Sequence, residues 1–358
     1  MNENRKPRIL ICTTSQFGYL TDTYKYCEYA KNRFDITYIC WDYNRPRIEL
    51  TDIKVHYVTR AGNLLRRNYR LLNSIYNAIK WGLFDNVFIV YIRGVSFVKF
   101  LFPKTSINLD IRTASVHKNL INRTTYNFFL KLESLAFANI SVISEGVAKS
   151  LGIKKYSLLP LGGENFKTKH IEDSHLTFIY VGSLQGRDIL TFVKAFYEFS
   201  NNANLAQQCS LKIIGDSPEN ELQILKEFIS SNKVKNIQLL GRINQDKLKP
   251  YFDNADIGIS YVPITPWYEF QPPTKTYEYL VSGLPVLATA TYENKKIITQ
   301  KNGVLIKDNL ESIVKGLHVI MDNYNKYIYD PEEIKKESKC FSWEYIVSEE
   351  FELIINRK

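Results

Sequence analysis

The sequence predicts an α/β protein of two doubly wound domains in tandem, on three observations. Short apolar, β-branched runs alternate with stretches of helical period along nearly all 358 residues. In the first half no tight-turn pair of the Asn-Gly kind links neighbouring strand runs, so the strands read as parallel with helices on both faces. The alternation also restarts after a polar stretch, "GGENFKTKHIEDSH" (162–175), which reads as a linker.

The elements follow in order. In the first half, "RILICTT" (8–14) is a fully buried type of strand, and a helix runs from about 21 to 32. Strands at 35–41 and 54–59 precede a long helix at about 64–84. Strands at 86–92 and 106–112, a helix at about 124–138, then "ISVIS" and "YSLLPLG" close the series. The second half opens with strand 176–183 and an amphipathic helix at 188–201. "CSLKIIGD", "ELQILKEFISSN", "IQLLGR", "QDKLKPYFDNA" and "DIGISYVPI" continue as strand, helix, strand, helix, strand, and 342–356 is a last amphipathic helix. The predicted domains are 1–165 and 166–335, with 336–358 as a C-terminal helix crossing back to the first.

Composition narrows the class. The hydrophobic share of 45% and charged share of 23% are those of a globular protein. The longest apolar runs, 87–92 and 257–262, are strand-sized and too short to span a bilayer. "MNENRKPRILICTTS" reads as a first strand rather than a leader, so the expected location is cytoplasmic. Five widely spaced cysteines without a CxxC pair argue against a disulfide framework and a structural zinc site, and Cys12 and Cys40 read as core. No Walker loop, GxGxxG, HExxH or GxSxG is present. Residues 1–165 carry 24 Lys and Arg against 12 Asp and Glu, while 166–358 carry 23 against 25. An excess of +12 on one half implies an anionic partner there.

Two stretches lie where open parallel sheets bind ligands, beyond the carboxyl ends of strands. "QPPTKTYEYLVSGLPVLAT" (271–289) breaks at Pro272 and Pro273, starts a helix near Thr274, and stops at Gly283 and Pro285. A 100° step puts Lys275, Glu278, Tyr279 and Ser282 on one polar face, and Thr276, Tyr277, Leu280 and Val281 on the face that packs. Lys275 suits a diphosphate at the helix N-terminus, and Glu278 can accept hydrogen bonds from sugar hydroxyls. An ordinary surface ion pair at i, i+3 explains the same two charges, and periodicity leaves both readings open. "FIYVGSLQGRDI" (178–189) is a strand, a glycine turn and a helix start. Gly182 and Gly186 would let backbone N–H groups approach an anion, and Arg187 could fork onto phosphate oxygens.

"IYVGSL…GRD", "LKIIGD", "IQLLGR", "DIGISYVPI" and "PTKTYEYLVSGLPVLAT", in this order, resemble the nucleotide-sugar domain of GT-B glycosyltransferases, above all the retaining family 4 or group 1 transferases. The resemblance is specific from about 176 to 308, where "KNGVLIKD" also looks familial, and "FSWEYIVSEEFELI" resembles the family's last helix. It implies two Rossmann-like domains facing a central cleft, and transfer from a nucleotide diphosphate sugar without metal or other cofactor. By its motif, Glu278 would meet the donor ribose and Lys275 the diphosphate, with Thr274 and Tyr279 beside them. Gly182 matches the glycine before a phosphate-binding arginine; here Ser183 follows, and Arg187 supplies the charge. The first glutamate of the family's E-x7-E pair would fall on Phe270, so either Glu269 beside it serves, in a loop bordering the sugar pocket, or the role is absent. On the acceptor side, Asp110 in strand 106–112 and His117 after it are the catalytic candidates, Arg112 suits an anionic acceptor or the diphosphate, and Gly18 allows close approach at a cleft-facing turn.

Within 63–84, Leu64, Leu71, Leu72, Ile75 and Ile79 fit a packed face, while Arg66, Arg67 and Arg70, with Tyr69 and Trp81, suit anionic lipid. The expected function is therefore sugar transfer to a glycan or lipid-linked glycan in surface polysaccharide (lipopolysaccharide or capsule) synthesis, at the inner membrane surface. No nucleic-acid partner is expected. The rival readings are a GT-B-type epimerase or hydrolase of nucleotide sugars, and a basic binding module without catalysis.

Overall fold

The computed structural model describes residues 5–117, 119–169, 175–202 and 205–357. The chain divides into two compact units, Met1–Leu161 with Trp343–Lys358, and Gly162–Ser342.

The first unit is a seven-stranded parallel sheet of β1 (Arg8–Thr13), β2 (Asp35–Asp42), β3 (Ile53–Thr59), β4 (Asn86–Val90), β5 (Ile107–Ile111), β6 (Asn139–Val142) and β7 (Ser157–Leu158). Its order is β3-β2-β1-β4-β5-β6-β7, with Leu10 of β1 level with Thr37 on one side and Val87 on the other. β1 is covered on both faces, which is why its sequence is a continuous apolar run and not an alternating one. The connecting helices are α1 (Thr21–Ala30), α2 (Leu64–Trp81), α3 (Val95–Leu101), α4 (Leu120–Ser134) and α5 (Glu145–Leu151). Right-handed crossovers put α1 on one face of the sheet and α2, α3 and α4 on the other. α4 begins four residues before the predicted start, because the Asn119 side chain caps it by accepting the Asn122 N–H at 3.1 Å.

The last helical segment, 343–356, completes this unit on the α1 face. Phe351 stacks on Tyr26 with centroids 4.5 Å apart and meets Phe88 edge-on at 5.3 Å. Trp343 is buried against the same tyrosine, and Arg33 pairs with Glu352.

The second unit holds β8 (Leu176–Val181), β9 (Cys209–Ile214), β10 (Ile237–Gly241), β11 (Ile257–Ser260), β12 (Val286–Thr289) and β13 (Gly303–Ile306), all parallel, in the order β10-β9-β8-β11-β12-β13. Its helices are α6 (Ile189–Asn202), α7 (Glu221–Ser231), α8 (Lys249–Asp253), α9 (Thr274–Val281), α10 (Asn294–Ile297), α11 (Leu310–Asn325) and α12 (Pro331–Glu337). The chain runs outward from β8 to β10, then returns to β11 on the other side of β8. That reversal opens a crevice at the carboxyl ends of β8 and β11.

The divisions fall at 161/162 and 342/343, not at the predicted 165/166 and 335/336. Gly163 N–H donates to the Phe341 carbonyl at 2.7 Å, Phe166 N–H donates to Ser282 Oγ at 3.1 Å, and the Phe166 ring packs on Phe252. α12 buries Ile334 in the same core, so both flanks belong to the second sheet. Residues 170–174 of the predicted linker lie outside the described residues.

Candidate functional site

The crevice between β8 and β11 collects both constellations singled out in the sequence. The turn after β8 carries Gly182 at φ +151°, a conformation that L side chains rarely adopt. A Cβ there would stand 3.3 Å from Lys275 Nζ, so the glycine leaves room for the ammonium. The turn continues through exposed Ser183, whose carbonyl accepts the Tyr180 O–H at 2.8 Å, to Arg187. The Arg187 guanidinium lies 4.2 Å above the Tyr268 ring.

From the other side, β11 leads through a loop anchored by Ile264 N–H to Asp308 Oδ2 at 2.8 Å. Pro272 and Pro273 then end the extended chain and α9 begins, with no side-chain cap at Pro273. Below, Thr276 pins α9 through its hydroxyl, 2.7 Å from Ser260 Oγ and 3.0 Å from Asn294 Oδ1. This buried network fixes the first turn, and with it Thr274 and Lys275, at the crevice.

Lys275 is the most informative side chain of the group. It is 9% exposed, and its Nζ sits 3.8 Å above the Tyr180 ring. Among the described residues it has neither an ion pair nor a hydrogen-bond acceptor. Burial, with Arg187 as a like-charged neighbour, pulls its pKa well below the ordinary lysine range, and half-buried Glu278 opposes the shift. Two cations stacked on aromatic rings around a glycine turn concentrate positive charge at the crevice. Such an arrangement can take up an anion.

Glu269 lies beside Tyr268 in the turn at 265–269, half-buried, and its Oε2 is buried without a hydrogen-bond partner among the described residues. It can accept a hydrogen bond from a hydroxyl or N–H donor. Phe270 turns onto Tyr292 at 5.2 Å.

Tyr279 differs from expectation. It is fully buried, its hydroxyl accepts the Val181 N–H at 2.9 Å, and its ring packs beside Phe252. It holds β8 against α9 beneath the crevice. The polar-face assignment fails because α9 is buried nearly all round: Ser282 and Thr276 are both fully covered.

The candidates of the first unit do not gather into one open site. Asp110 is buried at the end of β5, accepts the Ser141 O–H at 2.6 Å, and lies 3.6 Å from Arg112 Nε. Burial pushes its pKa up to about 6, with Arg112 and the Ser141 hydroxyl pulling the other way. Arg112 is buried and partly engaged: its Nε donates to Asp22 Oδ2 and its Nη1 to the Leu159 carbonyl, both at 2.7 Å, while its Nη2 has no partner among the described residues. His117 is exposed, and its Nδ1 accepts the Asn119 N–H at 3.1 Å just before α4. Gly18 takes φ +84°, but the close approach there is by its own chain, since a Cβ would fall 2.5 Å from Ile48 Cδ1.

The sequence reading missed Tyr180, whose ring carries the lysine. Its signal was faint: an aromatic residue two positions before the turn glycine, on a strand already assigned to the core.

Residues 175–323 match the family described as "Glycosyl transferases group 1". Over most of its length the second unit thus resembles group 1 glycosyl transferases. The match runs from β8 to α11, so the matched segment includes Gly182, Arg187, Glu269, Lys275 and Glu278. No curated protein matches the chain significantly. Solved structures resemble it over its full length. A glycosyltransferase from Rickettsia africae has a TM-score of 0.74 at 14% identity, covering 99% of this chain and 100% of that one. Sucrose-phosphate synthase from Thermosynechococcus elongatus has 0.72 at 14% identity, covering 97% and 98%. HepE from Anabaena, solved with UDP and glucose, has 0.69 at 10% identity, covering 96% and 97%. At these identities the likeness establishes the fold: two Rossmann-like units of GT-B type.

Proposed function

We propose that this protein is a glycosyltransferase that takes its sugar from a nucleoside diphosphate sugar bound at the β8–β11 crevice. The observation that carries the reading is Lys275, a buried ammonium without an acceptor beside a second cation, Arg187. The two charges, with the uncapped start of α9, would stabilise the nucleoside diphosphate as it leaves. Glu278 would accept hydrogen bonds from the ribose, and Glu269 Oε2 from the transferred sugar. The acceptor is read as a glycan or lipid-linked glycan of a surface polysaccharide, and the transfer as retaining. That HepE was solved with UDP and glucose makes UDP the first nucleotide to try.

Calorimetric titration with a panel of nucleoside diphosphates, UDP first, tests the reading. Saturable one-to-one binding of at least one member is expected. Binding to none would overturn it. Turnover of the donor with no acceptor present would favour the nucleotide-sugar hydrolase instead.

A further inference from the structure

The outer helical layer of the first unit is apolar where a protein surface is ordinarily polar. α3 is wedged between α2 and α4. Asn68 of α2 donates to the Arg93 carbonyl at 3.3 Å, Tyr76 meets Phe102 at 5.3 Å, and Glu133 of α4 accepts the Gly94 and Ser96 N–H groups. The inner sides of the three helices are accounted for, since Leu71, Ile75, Val95, Val98 and Leu130 are buried against the sheet. A second apolar set points away from it. On α3, Phe97 and Phe100 stand at i and i+3, 70% and 69% exposed. On α4, Ile121, Phe128 and Leu132 recur at i, i+7 and i+11, one stripe of the helix, with Ile121 74% exposed. α2 contributes Leu65 near its start and Trp81 at its end, both exposed. Single exposed hydrophobic residues need no explanation, but a run across three adjoining helices does.

The charge on the same layer says what covers it. α2, α3 and α4 carry seven Lys and Arg (Arg66, Arg67, Arg70, Lys80, Lys99, Arg123 and Lys131) against the single carboxylate Glu133. That carboxylate is turned onto backbone N–H groups at the start of α3. A second copy of this face would set like charge against like charge, which disfavours a symmetric dimer. A nucleic acid would meet the basic groups and leave the phenylalanines without a partner. An anionic bilayer satisfies both, with apolar side chains in the headgroup boundary and basic ones at the lipid phosphates.

We propose that the α2–α3–α4 face is a peripheral docking surface for a bilayer rich in anionic lipid. Among the described residues no helix is long and apolar enough to cross a membrane, so the contact is a surface one. The sequence pointed only to the α2 portion; α3 and α4 supply the larger apolar part. The inference does not depend on what the β8–β11 crevice binds.

The test is co-sedimentation of the whole chain with phosphatidylcholine vesicles, with and without phosphatidylglycerol. Binding is expected on the anionic vesicles only, and raised salt should weaken it. Phe97→Glu/Phe100→Glu and, separately, Arg66→Glu/Lys131→Glu should each reduce it about tenfold or more with an unchanged melting temperature. Should the phenylalanine variant melt early, the charge-reversal variant decides. Equal binding to neutral and anionic vesicles, or binding that both variants retain, would overturn the proposal. So would a wild-type dimer that sediments without vesicles and dissociates on Phe97→Glu/Phe100→Glu, which would make the face an interface between copies.

Discussion

Replacing Lys275 with methionine should act in opposite directions on stability and on ligand binding. The side chain keeps its length and loses its charge. In the free protein that charge is buried with no acceptor, Arg187 is a like charge beside it, and only half-buried Glu278 favours it. Burial lowers the lysine pKa in the folded state, so below that value the native protein bears the full cost of the charge. As pH rises towards the ordinary lysine range, the folded protein has shed the proton while the unfolded chain still holds it, and wild-type stability recovers. Lys275→Met should therefore melt higher than wild type at neutral pH, with the gap closing as pH rises. Binding should go the other way. A unit charge pair at about 4 Å and an effective dielectric of about 20 is worth ~4 kcal/mol. A net hydrogen bond to a charged group is worth about 1.5–3 kcal/mol. Because Lys275 is desolvated before the ligand arrives, the upper part of that range applies. A loss of about 2–3 kcal/mol weakens the Kd for a nucleoside diphosphate roughly 30- to 150-fold. Thermal melts from pH 6 to 10 and calorimetry at neutral pH measure the two effects. A variant that binds the nucleotide like wild type, or that melts lower at every pH, would refute the reasoning.

Tyr279→Phe removes the acceptor of the Val181 N–H and should cost the second unit about 1–2 kcal/mol in a thermal or denaturant melt. The nucleoside diphosphate Kd should move by less than about threefold, under 0.7 kcal/mol, because the hydroxyl lies beneath the crevice. Asp110→Asn should remove a pH dependence of stability. The folded pKa of Asp110 is raised to about 6, so its contribution is fully present below the unfolded carboxylate value and is lost as pH rises through about 6. Wild type should lose stability relative to the variant between about pH 4 and 6; parallel melting curves across that interval would contradict the burial argument.

The places of Lys275 and Gly182 in the fold were legible in the sequence because their signals are local: a proline break before a helix, and a glycine where a strand turns. Tyr279 was misplaced because a helical wheel presumes one wet face, and α9 has almost none. Tyr180 depends on how β8 sits beside β11, since the Phe178–Ile257 and Ile179–Gly258 pairing brings its ring under α9, and no periodicity within either strand encodes that. Arg112 looked available because its partner Asp22 lies ninety residues earlier. Gly18 looked open because Ile48 fills its space from a stretch with no regular pattern. The charge excess of the first half was plain from counting, but its placement was not. The outward stripe of α4 starts at Ile121, before the predicted helix begins, and α3 is too short to show a period.

The stacking of Phe351 on Tyr26 has a consequence for the order in which the molecule assembles. Residues 162–342 form one uninterrupted piece, whereas the first unit is assembled from two pieces of chain that lie on either side of it. During synthesis the N-terminal stretch emerges with Tyr26 and Phe88 lacking the aromatic residues that cover them. The middle piece can close its own sheet while that gap persists. The unit made first is thus the one finished last, and it spends the interval with an apolar patch open to chaperones or to misassembly.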